Sequence, residues 1–133
     1  MKNIPLIFTT YLYYLSLIIL LILYLFPGSI IGYILYGDLY IQPDIIKNPI
    51  GTSINHFFYF FILAFLGLIY NLKKQKFINS FFFLFFISIF LELTHFIIPN
   101  RGFELIDIVA NSAGICSIYF LFVLKNKFKN EKI

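Results

Sequence analysis

Apolar residues along this chain fall in four long runs separated by short polar breaks. Each run has the length of a membrane-crossing helix, which needs about 20 apolar residues. The runs cover 7–26, 54–72, 77–98 and 103–124. The first closes at Pro27-Gly28 and the second at Lys73, Lys74 and Lys76. The third closes at Pro99-Asn100-Arg101-Gly102, a turn signal. The fourth closes at a basic tail with Lys125, Lys127, Lys129 and Lys132. Lys2 ahead of the first run imitates a signal peptide. The run is too long for a typical signal core and no small-residue cleavage site follows, so a retained helix is expected.

Segment 27–53 interrupts the pattern. The apolar stretch from Ile30 to Tyr36 is too short to span. It is expected either to prolong the first helix or to lie at the interface, anchored by Tyr33, Tyr36 and Tyr40. No internal repeat or linker divides the 133 residues, so one domain is expected.

Composition sharpens this reading. Charged residues make up 12% of the chain, about half the share of a soluble domain, and 61% are hydrophobic. Much of the surface must therefore face something other than water. A biased genome also enriches Phe, Ile, Tyr, Asn and Lys, so Phe richness alone carries no functional weight. With no Trp, Tyr must serve as the interfacial aromatic. The single cysteine, Cys116, excludes an intrachain disulfide and reads as a buried small hydrophobe.

Placement of Lys and Arg sets the orientation. Lys2, the Lys73, Lys74 and Lys76 cluster and the tail lysines share one side of a four-span chain. The other side holds Lys47 and Arg101 beside Asp38, Asp44 and Glu104. The expected fold is all-α: a polytopic transmembrane four-helix bundle with both termini cytoplasmic. The net charge of +4 is then a topology signal, and nucleic acid is not an expected partner.

A charge inside a span costs about 2.5–3.5 kcal/mol on insertion scales, so it needs a reason. Glu92 sits near the end of the third run, with His95 at i+3 and Ser88 at i−4 on the same face. In the fourth run Asp107 and Asn111 are spaced i, i+4 and share a face with Gly114. Arg101 lies in the turn between these runs, and His56 opens the second. Four spans bring all six to the outer half of the membrane. Ala110, Ala113, Gly114 and Ser117 would let another helix approach the fourth closely.

Each residue also has a plain structural reading. Asp107 and Glu104 suit the first turns of a helix, where the macrodipole favours acids. Arg101 and His56 suit an interface, and Asn111 suits an interhelical hydrogen bond. Glu92 could pair with Arg101 or stay protonated. Their joint placement is what favours a shared pocket.

The stretch from Phe90 to Arg101, with Glu92, His95, Pro99 and Arg101, continues to Asp107, Asn111 and Gly114. It resembles the signature of the VanZ-like family of small bacterial membrane proteins, in which a Glu and a Gln on one helix precede a Pro-x-Arg turn, an Asp and an Asn-x-x-Gly. His56-Phe57-Phe58-Tyr59 resembles the family's His-Phe-x-Tyr element. Thr52-Ser53 stand where the family has Asp-Lys, and His95 stands where it has Gln. The resemblance covers the last three spans and implies a multi-pass protein of the bacterial inner (plasma) membrane.

Two functional classes follow. In the first, an outward-facing pocket binds or processes a cell-envelope lipid or lipid-linked intermediate. Arg101 would hold a phosphate or carboxylate. Glu92, His95 and Asp107 are the candidate acid/base residues, with Asn111 and His56 orienting the ligand or moving protons. No nucleophile–base pair stands out, since Ser88 and Ser112 are ordinary helix serines. In the second class the chain is a non-catalytic scaffold, membrane-protein partner subunit, homo-oligomer or small transporter component, and the polar cluster fixes helix packing. Glu92-x-x-His95 is half of a di-iron motif. Two histidines with acids could also bind zinc, but no close-spaced ligand pair exists, so no metal and no cofactor are expected. A proton path would need acids continuing inward, and none do.

Overall fold

The computed structural model describes residues 4–44, 47, 49, 51–71 and 77–130. The described residues contain five α-helices and no strand: α1 (Ile4–Leu25), α2 (Ile30–Tyr36), α3 (Ser53–Asn71), α4 (Phe77–Thr94) and α5 (Leu105–Asn130). The basic positions Lys2, Lys73, Lys74, Lys76 and Lys132 used for orientation lie outside the described residues.

α1 is an unbroken Ile/Leu/Tyr run that stops where Pro27 meets Gly28. Gly28 takes φ +94, a left-handed setting that costs glycine little, and the chain leaves the helix axis there. α2 is therefore a separate element and does not prolong α1. Ser29 caps it by accepting a hydrogen bond from Gly32 N at 2.9 Å, and Gly37 ends it in the left-handed region. Its Tyr33 and Tyr36 are exposed, as is the following Tyr40.

α3 lies at the centre. It contacts α1, α4 and α5, most extensively α5. Gly114 on α5 makes this approach close, because a Cβ there would run into the Phe57 carbonyl oxygen on α3. The small residues of α5 do not act together as expected: Ala113 is exposed and faces away from this seam. Cys116 is also exposed, contrary to the buried setting expected of it. On α5 the inward positions are Asp107, Asn111, Gly114, Ile115 and Ile118, and Cys116 falls on the opposite side.

Phe60, Leu63, Leu20, Leu84, Leu91, Ile115 and Ile118 form the core. Large apolar side chains also cover the outside. Phe82, Phe86 and Phe90 form an exposed i, i+4 row on α4, and Phe8, Tyr11, Leu15, Ile18 and Ile22 lie exposed on α1. Such an apolar exterior is far beyond what a water-exposed surface carries. Three helices are long and apolar enough to cross a membrane: Ile7–Leu25, Ser53–Tyr70 and Leu105–Phe128. The chain has the build of a membrane protein.

α4 runs 18 residues from Phe77 to Thr94, at the lower end of the range of helices that span a bilayer. The third run was expected to continue to 98. The helix instead tightens after Thr94: His95 N bonds Glu92 O at 3.1 Å and Phe96 N bonds Leu93 O at 3.2 Å. These i→i−3 bonds are how a helix end closes when it cannot continue. Pro99 and the left-handed Asn100 (φ 58) then turn the chain. α5 starts at Leu105 and runs to Asn130, beyond the expected end at 124.

Candidate functional site

The polar residues singled out by the sequence gather at one end of the helices. Four helix ends and one turn deliver them. α1 ends with Tyr24, α3 opens with Ser53 and His56, and α4 closes with Glu92, followed at once by His95. α5 opens with Asp107 and Asn111, and Arg101 lies in the connection. α4 and α5 are packed neighbours joined by a short turn, so they run antiparallel.

Two hydrogen-bonded groups make up the cluster. In the first, Ser53 Oγ donates to Asp107 Oδ1. Asp107 Oδ2 lies 3.5 Å from His56 Nε2. His56 Nδ1 lies 2.6 Å from Tyr24 Oη, and Asn111 Nδ2 donates to the same hydroxyl at 3.0 Å. Tyr24 Oη also lies 3.2 Å from Asn111 Oδ1. A phenol has one proton to donate, so Tyr24 donates either to His56 or to Asn111. The network therefore has two internally consistent proton arrangements.

In the second group, Glu92 Oε1 lies 3.1 Å from His95 Nδ1 and accepts from Glu104 N at 3.3 Å. His95 Nε2 faces the Tyr24 carbonyl oxygen at 3.3 Å, and its ring stacks on the Tyr24 ring with centroids 5.2 Å apart. Tyr24 thus joins the two groups. Glu92 and Asn111 are fully buried, while Asp107 and His95 are nearly so. Among the described residues Glu92 Oε2 has no hydrogen-bond partner.

Arg101 does something the sequence did not signal. Its Nη2 donates to Leu23 O, and its Nε donates to Phe26 O at 3.3 Å. These carbonyls lie at the end of α1, where helix carbonyls lack donors from a following turn. A cation at a helix C-terminus is also favoured by the macrodipole. Among the described residues Arg101 forms an ion pair with neither Glu92 nor Asp107. Burial lowers the guanidinium below its ordinary range, opposed by Tyr24 and Glu92 nearby.

A cavity of about 130 Å³ opens beside this cluster. Its polar wall carries Tyr24, His56, His95 and Arg101, and its apolar wall carries Leu20, Leu23, Ile30 and Ile31. Of the six residues expected to form a pocket, His56, His95 and Arg101 line it. Glu92, Asp107 and Asn111 sit behind the lining, bonded to residues that reach it. Ser88 Oγ is spent on Phe85 O, so it does not extend the site.

Donor atoms of His56, Glu92 and Asp107 all lie within 4.8 Å of one another. His95 is not in that group, because it is turned to Glu92 Oε1 and Tyr24 O. Sequence reasoning missed Tyr24 and Ser53. No family model matches the chain, and neither a curated protein nor a solved structure matches it.

Proposed function

We propose that this chain is a VanZ-like, multi-pass protein of the bacterial inner membrane whose cavity binds or processes a cell-envelope lipid or lipid-linked intermediate. In this reading the four long helices all span, both termini are cytoplasmic, and the cluster lies in the outer half of the bilayer. Uneven Lys and Arg placement supports the orientation. At 18 residues α4 is among the shorter spanning helices, and slight local thinning of the bilayer accommodates it.

The observation that carries the reading is the divided cavity wall. An amphipathic ligand would lay its chain against Leu20, Leu23, Ile30 and Ile31 and turn its head group to His56, His95 and Arg101. Arg101 is held by two carbonyls, so its charge is fixed before a ligand arrives. His56 and His95 are the groups placed to exchange protons with a ligand. Asp107 and Glu92 act through them, each beside an imidazole nitrogen.

The scaffold or partner-subunit reading also has a specific observation in its favour. Arg101 closes α1, and Tyr24 ties α1 to α3 and α5, so much of the cluster serves packing. Mass spectrometry of co-purifying lipids separates the two readings. Gln42 lines the cavity and is exposed, so Gln42→Trp narrows the cavity without touching the buried network. A phosphorylated or lipid-linked species held by the wild type and lost from Gln42→Trp, at equal folded yield, supports the ligand site. The same bulk lipids on both proteins favour the packing role.

A further inference from the structure

We propose that His56, Glu92 and Asp107 form a binding site for one divalent transition-metal cation where α3, α4 and α5 meet. This site does not depend on what the cavity holds.

Three helices bring an imidazole and two carboxylates together, with donor atoms within 4.8 Å of one another. The sites are far apart in sequence, so no short ligand motif announces them. Glu92 is fully buried, yet only Oε1 is used, by His95 and by Glu104 N. Among the described residues Oε2 has no partner. A buried carboxylate oxygen left bare carries a desolvation cost that a ligand would offset. Two acids share this small buried space, and the nearby cation Arg101 is committed to the carbonyls of Leu23 and Phe26. A divalent cation would balance both acids.

The surroundings of the three donors have the form expected of a metal site. Ligands are oriented by hydrogen bonds from a further layer of residues, and a ligating histidine donates its other ring N–H. Here Ser53 donates to Asp107 Oδ1, His95 holds Glu92 Oε1, and Tyr24 meets His56 Nδ1. When Nε2 ligates, Nδ1–H donates to Tyr24 Oη at 2.6 Å, and Tyr24 donates to Asn111 Oδ1 at 3.2 Å. That is one of the two proton arrangements the network already allows. Three protein ligands leave a position for water or substrate, as in zinc sites that do chemistry. Mixed nitrogen and carboxylate donors suit zinc, manganese or cobalt better than calcium or magnesium. His56 lines the cavity, so a cation can enter from that side.

The test uses the full-length protein in detergent, stripped with a chelator and titrated with Co²⁺ at near-neutral pH. The expected result is one Co²⁺ per folded chain, a visible absorption band, displacement by Zn²⁺ and a raised thermal midpoint. Glu92→Gln should weaken binding at least about tenfold. Tyr24→Phe, which removes no ligand, should weaken it about 10–100-fold, the range for residues that orient a ligating histidine. Folded wild type that takes up neither Co²⁺ nor Zn²⁺ in stoichiometric amount overturns the proposal, whatever the variants do. Binding undiminished in folded Glu92→Gln also overturns it. If Glu92→Gln does not fold, Ser53→Ala takes its place: it loses only the hydrogen bond to Asp107, and the same weakening is expected.

Discussion

The Tyr24 hydroxyl on α1 and the His56 imidazole on α3 meet at 2.6 Å, Oη to Nδ1. Asn111 on α5 shares the hydroxyl, and the Tyr24 ring stacks on His95 beyond α4. One side chain of α1 therefore touches α3, α5 and the turn that follows α4. In an apolar setting such bonds count, because a polar group left bare finds no water to replace its partner. Tyr24→Phe removes the hydroxyl and leaves His56 Nδ1 and the Asn111 amide short of a partner. We expect it to lower stability by about 1–3 kcal/mol. Tyr14→Phe breaks an exposed hydroxyl contact with Tyr70 and should change stability by no more than about 0.5 kcal/mol. Denaturant unfolding in mild detergent compares the two.

The α3–α5 seam depends on Gly114. Its missing side chain leaves room for the Phe57 carbonyl, and an added Cβ would push the helices apart. Gly114→Ala should cost about 1–3 kcal/mol as an overpacking change. Gly102→Ala is the matched control, since a Cβ there meets nothing within 4 Å. Thermal melts of the two variants check this, with only Gly114→Ala expected to shift.

Arg101 joins the 95–104 connection to the end of α1. Arg101→Ala frees the Leu23 and Phe26 carbonyls and should cost about 1–3 kcal/mol. Arg101→Lys keeps a positive charge at the helix end, worth about 0.3–1 kcal/mol, but cannot reach two carbonyls with one planar fork. It should fall between the wild type and Arg101→Ala in the same unfolding assay.

Asp107 offers a test of working site against packing element. Asp107→Asn keeps an oxygen to accept from Ser53 while losing the charge that faces His56. The folded yield should hold, and any bound cation or acidic head group should change in occupancy. Asp107→Ala also strips Ser53 of its acceptor and should lose about 1–3 kcal/mol in addition. Size-exclusion profiles and ligand occupancy measured on the same samples separate the effects.

The helices were legible in the sequence because long apolar runs ended by Pro, Gly or Lys leave few alternatives. Their ends were less so: the third run is apolar to Ile98, but Pro99 and Asn100 shorten α4 from beyond it. Glu92, His95, Asp107 and Asn111 were visible as polar residues in apolar surroundings. Tyr24 was not, because it is one of 10 tyrosines and sits in a span rich in them. Ser53 was visible only as the residue standing where a charged one was expected. Arg101 read as a partner for an acid, since nothing in the sequence tells which helix end will lie beside it. The His56, Glu92 and Asp107 grouping comes from three helices and has no sequence spacing to betray it.

The orientation can be read with one engineered cysteine at a time in a Cys116→Ser background. Gly102→Cys is at an exposed turn and should react with an impermeant thiol reagent on intact cells. Lys127→Cys, exposed near the other end of α5, should react only after the membrane is opened. The reverse pattern would put the cavity on the cytoplasmic side and remove the outer-leaflet ligands from consideration.

The most direct test of the cavity as a ligand site is photo-crosslinking in intact cells. A photoreactive residue at Ile31, on the apolar cavity wall, is compared with one at Phe86 on the outer face of α4. The account predicts that Ile31 captures a phosphorylated or lipid-linked species that Phe86 does not, and that Gln42→Trp abolishes the capture. Identical bulk lipids at both positions, unchanged by Gln42→Trp, would contradict it.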